Sequence, residues 1–356
     1  MVSSIGWNCC PNSRRQALKP QLPDDTVLRH ITDVHCHPTD AAIITDASLQ
    51  ALKINICAMS TRTSDQSLVK DLARRLPENV IPCFGYHPWF THFVTLQGGV
   101  SKNIHYSSLF PSGAPDFPEL LDVFPEPRTL SDVLSEVRQS LLEFPQAMLG
   151  EVGIDRIFRV PYDYDASPRK LSPFVVPLDH QLAILEAQID LAVELKRNIS
   201  LHSVKAPLPT KELLDSMQKK YGDRWNQISI DLHSCGLSPD MWLDIQKHHP
   251  NAFLSLSTVI NSRSPNHIAL IKACEDDRLL VESDYNDIDA CTPKTWEMVQ
   301  IIAETKGWAL EQVWEEAVEE KNWGAVRKLE RNWQRFAAGN HRGPPQKQAT
   351  KKKASN

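Results

Sequence analysis

The sequence predicts an α/β fold of the TIM type, a (β/α)8 barrel, and three observations carry that prediction. Eight short runs rich in β-branched or otherwise apolar residues recur along the chain. Amphipathic stretches of helical period fall between them. Helix-start chemistry stands where several of those stretches begin. Strands that alternate with helices pair in parallel and are covered by the helices, and a chain of 356 residues suits one such barrel.

The eight runs are Ile31–His37, Ile54–Thr61, Val80–His87, Ala147–Asp155, Ile199–Val204, Ile228–Ser234, Ala252–Val259 and Leu279–Asp284. Helical periodicity is clearest over Leu130–Phe144, Leu178–Arg197, Met241–His248 and Ile268–Cys274. Thr129 or Ser131 offers a cap to the first of these helices, and Asp179 stands after Pro177 at the start of the second. Ser238-Pro239 and Ser264-Pro265 place a capping hydroxyl before a first-turn proline.

Two long interruptions, Phe90–Arg128 and Arg156–Pro177, each follow a strand and are rich in Pro, Ser, Asp and Tyr. Loops after the strands form the working face of a barrel, so these segments are expected to overhang a site. Residues 1–27 and 338–356 are read as flexible ends flanking a barrel domain over 28–337. Lys351, Lys352 and Lys353 then form a solvated basic tail. No repeat of solenoid period is present.

Composition narrows the function classes. The net charge of −5 argues against a protein that coats nucleic acid with a basic surface, though metal ions in an active site can still meet individual phosphates. No run approaches the roughly 18 apolar residues of a membrane span, and the first twenty-odd residues lack a secretory signal. The chain is therefore expected in the cytoplasm and/or nucleus, with no membrane partner. Its eight cysteines form no C-x-x-C pair and read as reduced thiols; Cys36, Cys57 and Cys83 lie in apolar runs and read as core, and Cys9-Cys10 needs no function.

Polar residues collect at the C-terminal ends of the apolar runs: Asp33-Val34-His35-Cys36-His37, Gly85-Tyr86-His87-Pro88, Gly150-Glu151-Val152-Gly153-Ile154-Asp155, Ser200-Leu201-His202-Ser203, Asp231-Leu232-His233-Ser234 and Glu282-Ser283-Asp284. Strand alternation turns Asp33, His35 and His37 to one face, where both imidazoles can meet one cation. An H-x-H alone also describes a pair of hydrogen-bonded core histidines. Five of thirteen histidines at strand ends, with Glu151 and Asp284 among them, favour one or two divalent ions, which would compensate so many buried polar groups.

The ordered set His35-x-His37, Gly85-x-His87-Pro88, Gly150-Glu151-x-Gly153-x-Asp155, His202-Ser203, His233-Ser234 and Glu282-Ser283-Asp284 resembles the TatD family of metal-dependent deoxyribonucleases, which belongs to the amidohydrolase-type barrels. The likeness runs from about Ile31 to Asp284, and Asn332–Phe336 resembles the family's closing helix. It implies that His35, His37 and Asp284 bind a first metal, that Glu151 bridges, and that His202 and His233 bind a second. Asp284 would orient and deprotonate the attacking water, His87 would contact substrate, and Glu282 would orient neighbouring ligands. Asp155 and Lys205 are grouped with these as residues that meet substrate or support the ligands. The donor types suit Zn²⁺ or Mn²⁺; Mg²⁺ is associated with the family but matches four imidazoles less well.

Three positions depart from the family pattern. Val204 and then Lys205 follow His202-Ser203 where arginine is usual, so a phosphate-contacting cation is displaced or lost. Gly236 follows His233 by three residues instead of four, and Tyr285-Asn286-Asp287 replaces a proline-containing segment. The chain is most similar to a divergent fungal branch of the family, one member of which is described as a partner of a subunit of the anaphase-promoting complex. Hydrolysis of DNA or another phosphodiester thus stands beside two alternatives: a hydrolase of lactones, amides or phosphotriesters on the same barrel, and a protein-interaction role. Barrels of the first alternative often bridge their metals with a carboxylated lysine, whereas here Glu151 takes that strand.

Bland readings cover the remaining conspicuous residues. Trp296, Trp308, Trp314, Trp323 and Trp333 are expected to pack a helical C-terminal region on the barrel. His248-His249 is expected to meet the carbonyls that end a helix.

Overall fold

The eight predicted strands form one parallel sheet in chain order in the computed structural model, which describes residues 21–342 except 42. They are β1 Thr32–Cys36, β2 Asn55–Met59, β3 Val80–Phe84, β4 Met148–Asp155, β5 Ile199–Val204, β6 Ile230–His233, β7 Ala252–Leu256 and β8 Leu279–Val281. The sheet curls until its ends meet: Asp284 N–H donates to His35 O at 2.9 Å and His37 N–H to Tyr285 O at 2.8 Å. A helix follows every strand: α1 Asp46–Ala51, α2 Thr63–Arg75, α3 Leu130–Glu143, α4 Leu178–Leu195, α5 Pro207–Tyr221, α6 Pro239–His248, α7 His267–Ala273 and α8 Ile288–Lys306. A ninth, α9 Ala325–Ala338, ends the described chain.

Burial on both faces explains why the strands read as near-continuous apolar runs. Val34, Cys57, Met59, Cys83, Met148, Phe253 and Leu280 form one cluster with Phe336 of α9. Residues of the opposite parity, such as Ile56, Ala58, Leu149 and Leu254, pack among the helices. Asn332 fixes α9 by donating to Leu279 O at 2.8 Å and Asp276 O at 2.6 Å. Phe336 meets Phe253 edge-on at 5.4 Å, so this helix covers the end opposite the polar strand termini.

The predicted caps differ in detail. Thr129 receives Asp132 N–H at 3.2 Å and Ser238 receives Met241 N–H at 3.2 Å. Ser264 instead closes a turn one residue early, taking Asn266 N–H at 3.3 Å, and α7 begins at His267.

The two long interruptions are not structureless. The first holds helices Lys102–Leu109 and Phe117–Val123, and Val94-Thr95 pairs with Arg128-Thr129. The second is a hairpin of Arg159–Pro161 with Leu171–Val175. Tyr106, Phe110, Leu120 and Phe124 from the first pack against Val160 and Phe174 from the second. This satellite core holds both excursions over the C-terminal rim.

The bland readings hold for Trp296, Trp308, Trp314, Trp333 and His248, but not for Trp323, which joins neither core cluster, or for His249. Trp296 is fully buried, Trp308 and Trp314 pack on the main core, and Trp333 on the inner cluster. His248 Nδ1 lies 2.8 Å from Asp244 O, whereas His249 Nε2 turns to Asp215 Oδ1 at 3.1 Å. Six free cysteines, Cys36, Cys57 and Cys83 among them, are buried. Cys9-Cys10, nearly all of the N-terminal segment and the lysine cluster lie outside the described residues, within which no helix is long and apolar enough to cross a membrane.

Candidate metal centre

Each barrel strand with a polar terminus delivers it to one rim. Glu151, in the middle of the wholly buried strand β4, is the hub. Its Oε1 lies 2.8 Å from His202 Nδ1 (β5), 2.8 Å from His233 Nε2 (β6) and 3.3 Å from His87 Nε2, just past β3. Its Oε2 lies 3.2 Å from His37 Nε2 and 3.6 Å from His35 Nε2, both at the end of β1. Asp284 completes the second side, with Oδ1 3.7 Å from His37 Nε2 and 3.9 Å from His35 Nε2. The six side chains expected to hold metal are gathered around one centre.

The spacings suit cations. His35 Nε2 and His37 Nε2 are 3.2 Å apart, and His202 Nδ1 and His233 Nε2 are 3.4 Å apart. Two nitrogens bound tetrahedrally at about 2.0–2.1 Å are separated by roughly 3.3–3.4 Å. Two sets meet this condition on the two sides of one carboxylate. His35, His37 and Asp284 form a ligand-sized group, and so do His35, Glu151 and His233; His202 joins Glu151 in another.

The electrostatics of the centre turn on Glu151. Burial alone would raise the Glu151 carboxyl, but the charges of His87, His233 and His35 hold it well below the usual range. Burial opposes charge on His37, yet the Glu151 hydrogen bond and charge lift it to about 9. His233 is carried well above its ordinary value by Glu151, and His202 upward by Asp155 and Glu151, both against burial. Burial and the His233 charge push His35 down to about 3, and burial pushes Asp284 up to about 7. Glu151 thus favours the charged form of His37, His202 and His233, the same attraction it would exert on a divalent cation.

Groups around the ligands fix their orientation. Ser200 Oγ lies 2.7 Å from His35 Nδ1, which leaves Nε2 aimed at the centre. The His35 and His233 rings stack at 3.5 Å and 2°. Glu282, wholly buried, accepts hydrogen bonds from Ser234 and Ser255 hydroxyls and faces His233 Nδ1 at 3.8 Å. Asp155 Oδ2 accepts from Trp89 Nε1 at 2.8 Å and lies 3.6 Å from His202 Nε2. Trp89 N–H donates to His87 Nδ1 at 3.2 Å, so Nε2 of that ring carries the proton when neutral. Burial pushes His87 down to about 4. Lys205, Ser234 and Asp284, at or just past the ends of β5, β6 and β8, all take positive φ of 52°, 41° and 49°. Backbone strain of this kind gathers at functional sites.

One expectation is corrected in placement. Asp33 does not share the face of His35 and His37: its carboxylate accepts from Ser283 N–H at 2.9 Å and from Thr295 Oγ1 of α8 at 3.0 Å. The β1–β2 register shifts between Asp33 and Cys36, which breaks the assumed alternation. Lys205 is exposed and makes no ion pair among the described residues. Ser200, Ser255 and Trp89 were missed because a serine or tryptophan beside a ligand carries no spacing signal of its own.

The fold and the site define a class, a TIM-barrel hydrolase with its polar centre at the C-terminal rim of the strands. Residues 32–322 match the TatD related DNases, and the chain belongs to that family. It is similar to Cut9-interacting protein scn1 of Schizosaccharomyces pombe, 33% identical over 80% of this chain and 95% of that one. It is also similar to the uncharacterized deoxyribonuclease YMR262W of Saccharomyces cerevisiae, 26% identical over 87% and 99%. The fold is shared with the TatD homologue YJJV of Escherichia coli, at a TM-score of 0.56 and 15% identity over 88% of this chain and 99% of that one. An uncharacterized amidohydrolase of Saccharomyces cerevisiae has a TM-score of 0.58 and 12% identity over 86% and 99%.

Proposed function

We propose that this protein is a deoxyribonuclease that hydrolyses phosphodiester bonds with two divalent ions, Zn²⁺, Mn²⁺ or Mg²⁺, held across Glu151. The observation that carries the reading is the two-sided setting of that carboxylate, with Oε2 facing His35 and His37 and Oε1 facing His202 and His233. Bound there, such ions would supply Lewis acidity and lower the pKa of a water towards neutral.

The side chains divide the remaining work. Asp284, whose Oδ1 stands 3.7 Å from His37 Nε2 and 3.9 Å from His35 Nε2, is placed to take the proton of the attacking water. His87, its Nδ1 occupied by Trp89 N–H, presents Nε2–H as a donor to a phosphoryl oxygen. Asp155 holds His202 and Trp89 in place, and Glu282 steadies His233.

A second reading rests on the 33% identical relative, named for its interaction with Cut9: a protein partner bound in addition to, or in place of, substrate. We place the protein in the cytoplasm and/or nucleus under either reading.

The test is cleavage of single- and double-stranded DNA by the purified chain with Mn²⁺ or Mg²⁺, stopped by EDTA. Asp284→Asn is expected to lower turnover by about 10²–10⁴-fold. Unchanged turnover in that variant would remove Asp284 from its role. A wild-type protein that cleaves lactones or phosphomonoesters but no DNA would overturn the nuclease reading.

A further inference from the structure

We propose that Arg62 and Arg169 form a phosphate subsite beside the metal centre, gripping a DNA phosphate next to the one being cut. The inference takes its substrate from the nuclease reading and adds a place for the cation that the sequence lacks after His202-Ser203.

The two arginines come from different segments and both border residues 164 and 165 of the hairpin excursion. Arg62 stands between β2 and α2, and Arg169 in the hairpin excursion after β4. Asp40, in the turn that follows His37, interacts electrostatically with both arginines and also with His37 and Glu151.

Both guanidiniums are held in position. The Arg62 guanidinium lies over the Phe90 ring at 4.9 Å, and its Nη2 is 3.7 Å from Asp165 Oδ1 on the exposed side. Arg169 donates from Nε to Tyr164 O at 2.9 Å, and Tyr164 OH donates to Trp89 O at 2.9 Å. That chain of contacts ties Arg169 to the turn that carries His87.

The donors of the pair are only partly taken up. Arg169 is half-buried and has no carboxylate within 4 Å among the described residues. Burial lowers its pKa and the Arg62 charge adds to this, while Tyr164, Asp165 and Asp40 act in the opposite direction. The two guanidiniums border the adjacent residues Tyr164 and Asp165, and each presents paired donors that match phosphate oxygens. With its Nε already bonded, Arg169 keeps its terminal nitrogens for such a ligand. Lys205, one residue past the position where the family usually has arginine, is a single exposed ammonium with none of this fixation.

The experiment is titration of the metal-free full chain with inorganic pyrophosphate at pH 8 by calorimetry, in wild type, Arg62→Gln, Arg169→Gln and Lys205→Gln. Thermal melts confirm that each variant is folded, and Arg→Lys replacements test partial rescue. Each arginine variant is expected to weaken pyrophosphate binding by about 10-fold or more, as for loss of a charge-assisted hydrogen bond, while Lys205→Gln binds as wild type does. KM for DNA should rise in the arginine variants by more than kcat falls. Arginine variants that bind pyrophosphate like wild type, or loss confined to Lys205→Gln, overturn the subsite even where DNA is cut. Loss in the arginine variants of a protein that cuts no DNA sustains the anion subsite and overturns the nuclease reading instead.

Discussion

Replacing Ser200 by alanine isolates the control of one ligand. The serine hydroxyl and the His35 ring are both fully buried, 2.7 Å apart. With the hydroxyl as acceptor, the imidazole proton sits on Nδ1 and the Nε2 lone pair faces the centre. Without it, the buried Nδ1 has no partner, and the proton is better placed on Nε2, where Glu151 Oε2 at 3.6 Å can receive it. A metal must then displace that proton and restore an orphaned nitrogen. An unsatisfied buried group costs about 1–3 kcal/mol, and loss of an outer partner of a ligating histidine weakens metal binding by about 10–100-fold. Competition with a fluorescent chelator for Zn²⁺ measures this directly in wild type and Ser200→Ala. Wild-type affinity in the variant would show that Ser200 does not set the His35 tautomer.

Two further outcomes follow from packing and protonation. A Cβ at Gly153, where φ is +156°, would lie 2.1 Å from His202 O, so Gly153→Ala must push β5 aside at a cost of about 1–3 kcal/mol. The melting temperature should fall by roughly 2–4 °C per kcal/mol, with weakened metal binding through His202; a variant with both unchanged contradicts the close approach. Burial pushes His92 down to about 3, so the unfolded chain takes up its proton first as pH falls below 6.5. The stability this group contributes is complete above pH 6.5 and declines towards pH 3, by about 2 kcal/mol between pH 6.5 and 5. Urea denaturation of His92→Phe should show a pH slope smaller by that amount over the range, and an identical slope contradicts the assignment.

The barrel was legible because burial on both faces wrote each strand as an apolar run, and because only function puts His202, His233 or Asp284 at the end of such a run. The gathering of six ligand-type side chains was legible for the same reason. Asp33 was misplaced because a register shift is a property of two paired strands, and a single strand's alternation does not contain it. The two short helices in the first excursion were hidden by their length: Phe117–Val123 spans under two turns, too few for a periodic signal, and it is held by contacts to a hairpin fifty residues away. The Arg62–Arg169 pair was invisible for the same cause, since neither residue belongs to a motif and the excursions alone bring them together.

The account stands on two divalent ions shared by Glu151. Elemental analysis of the purified full chain after equilibration with Mn²⁺ or Zn²⁺ is expected to give two ions per chain, falling to one or fewer in Glu151→Ala. A folded wild-type protein that binds neither metal, or a Glu151→Ala variant that keeps both ions, would contradict it.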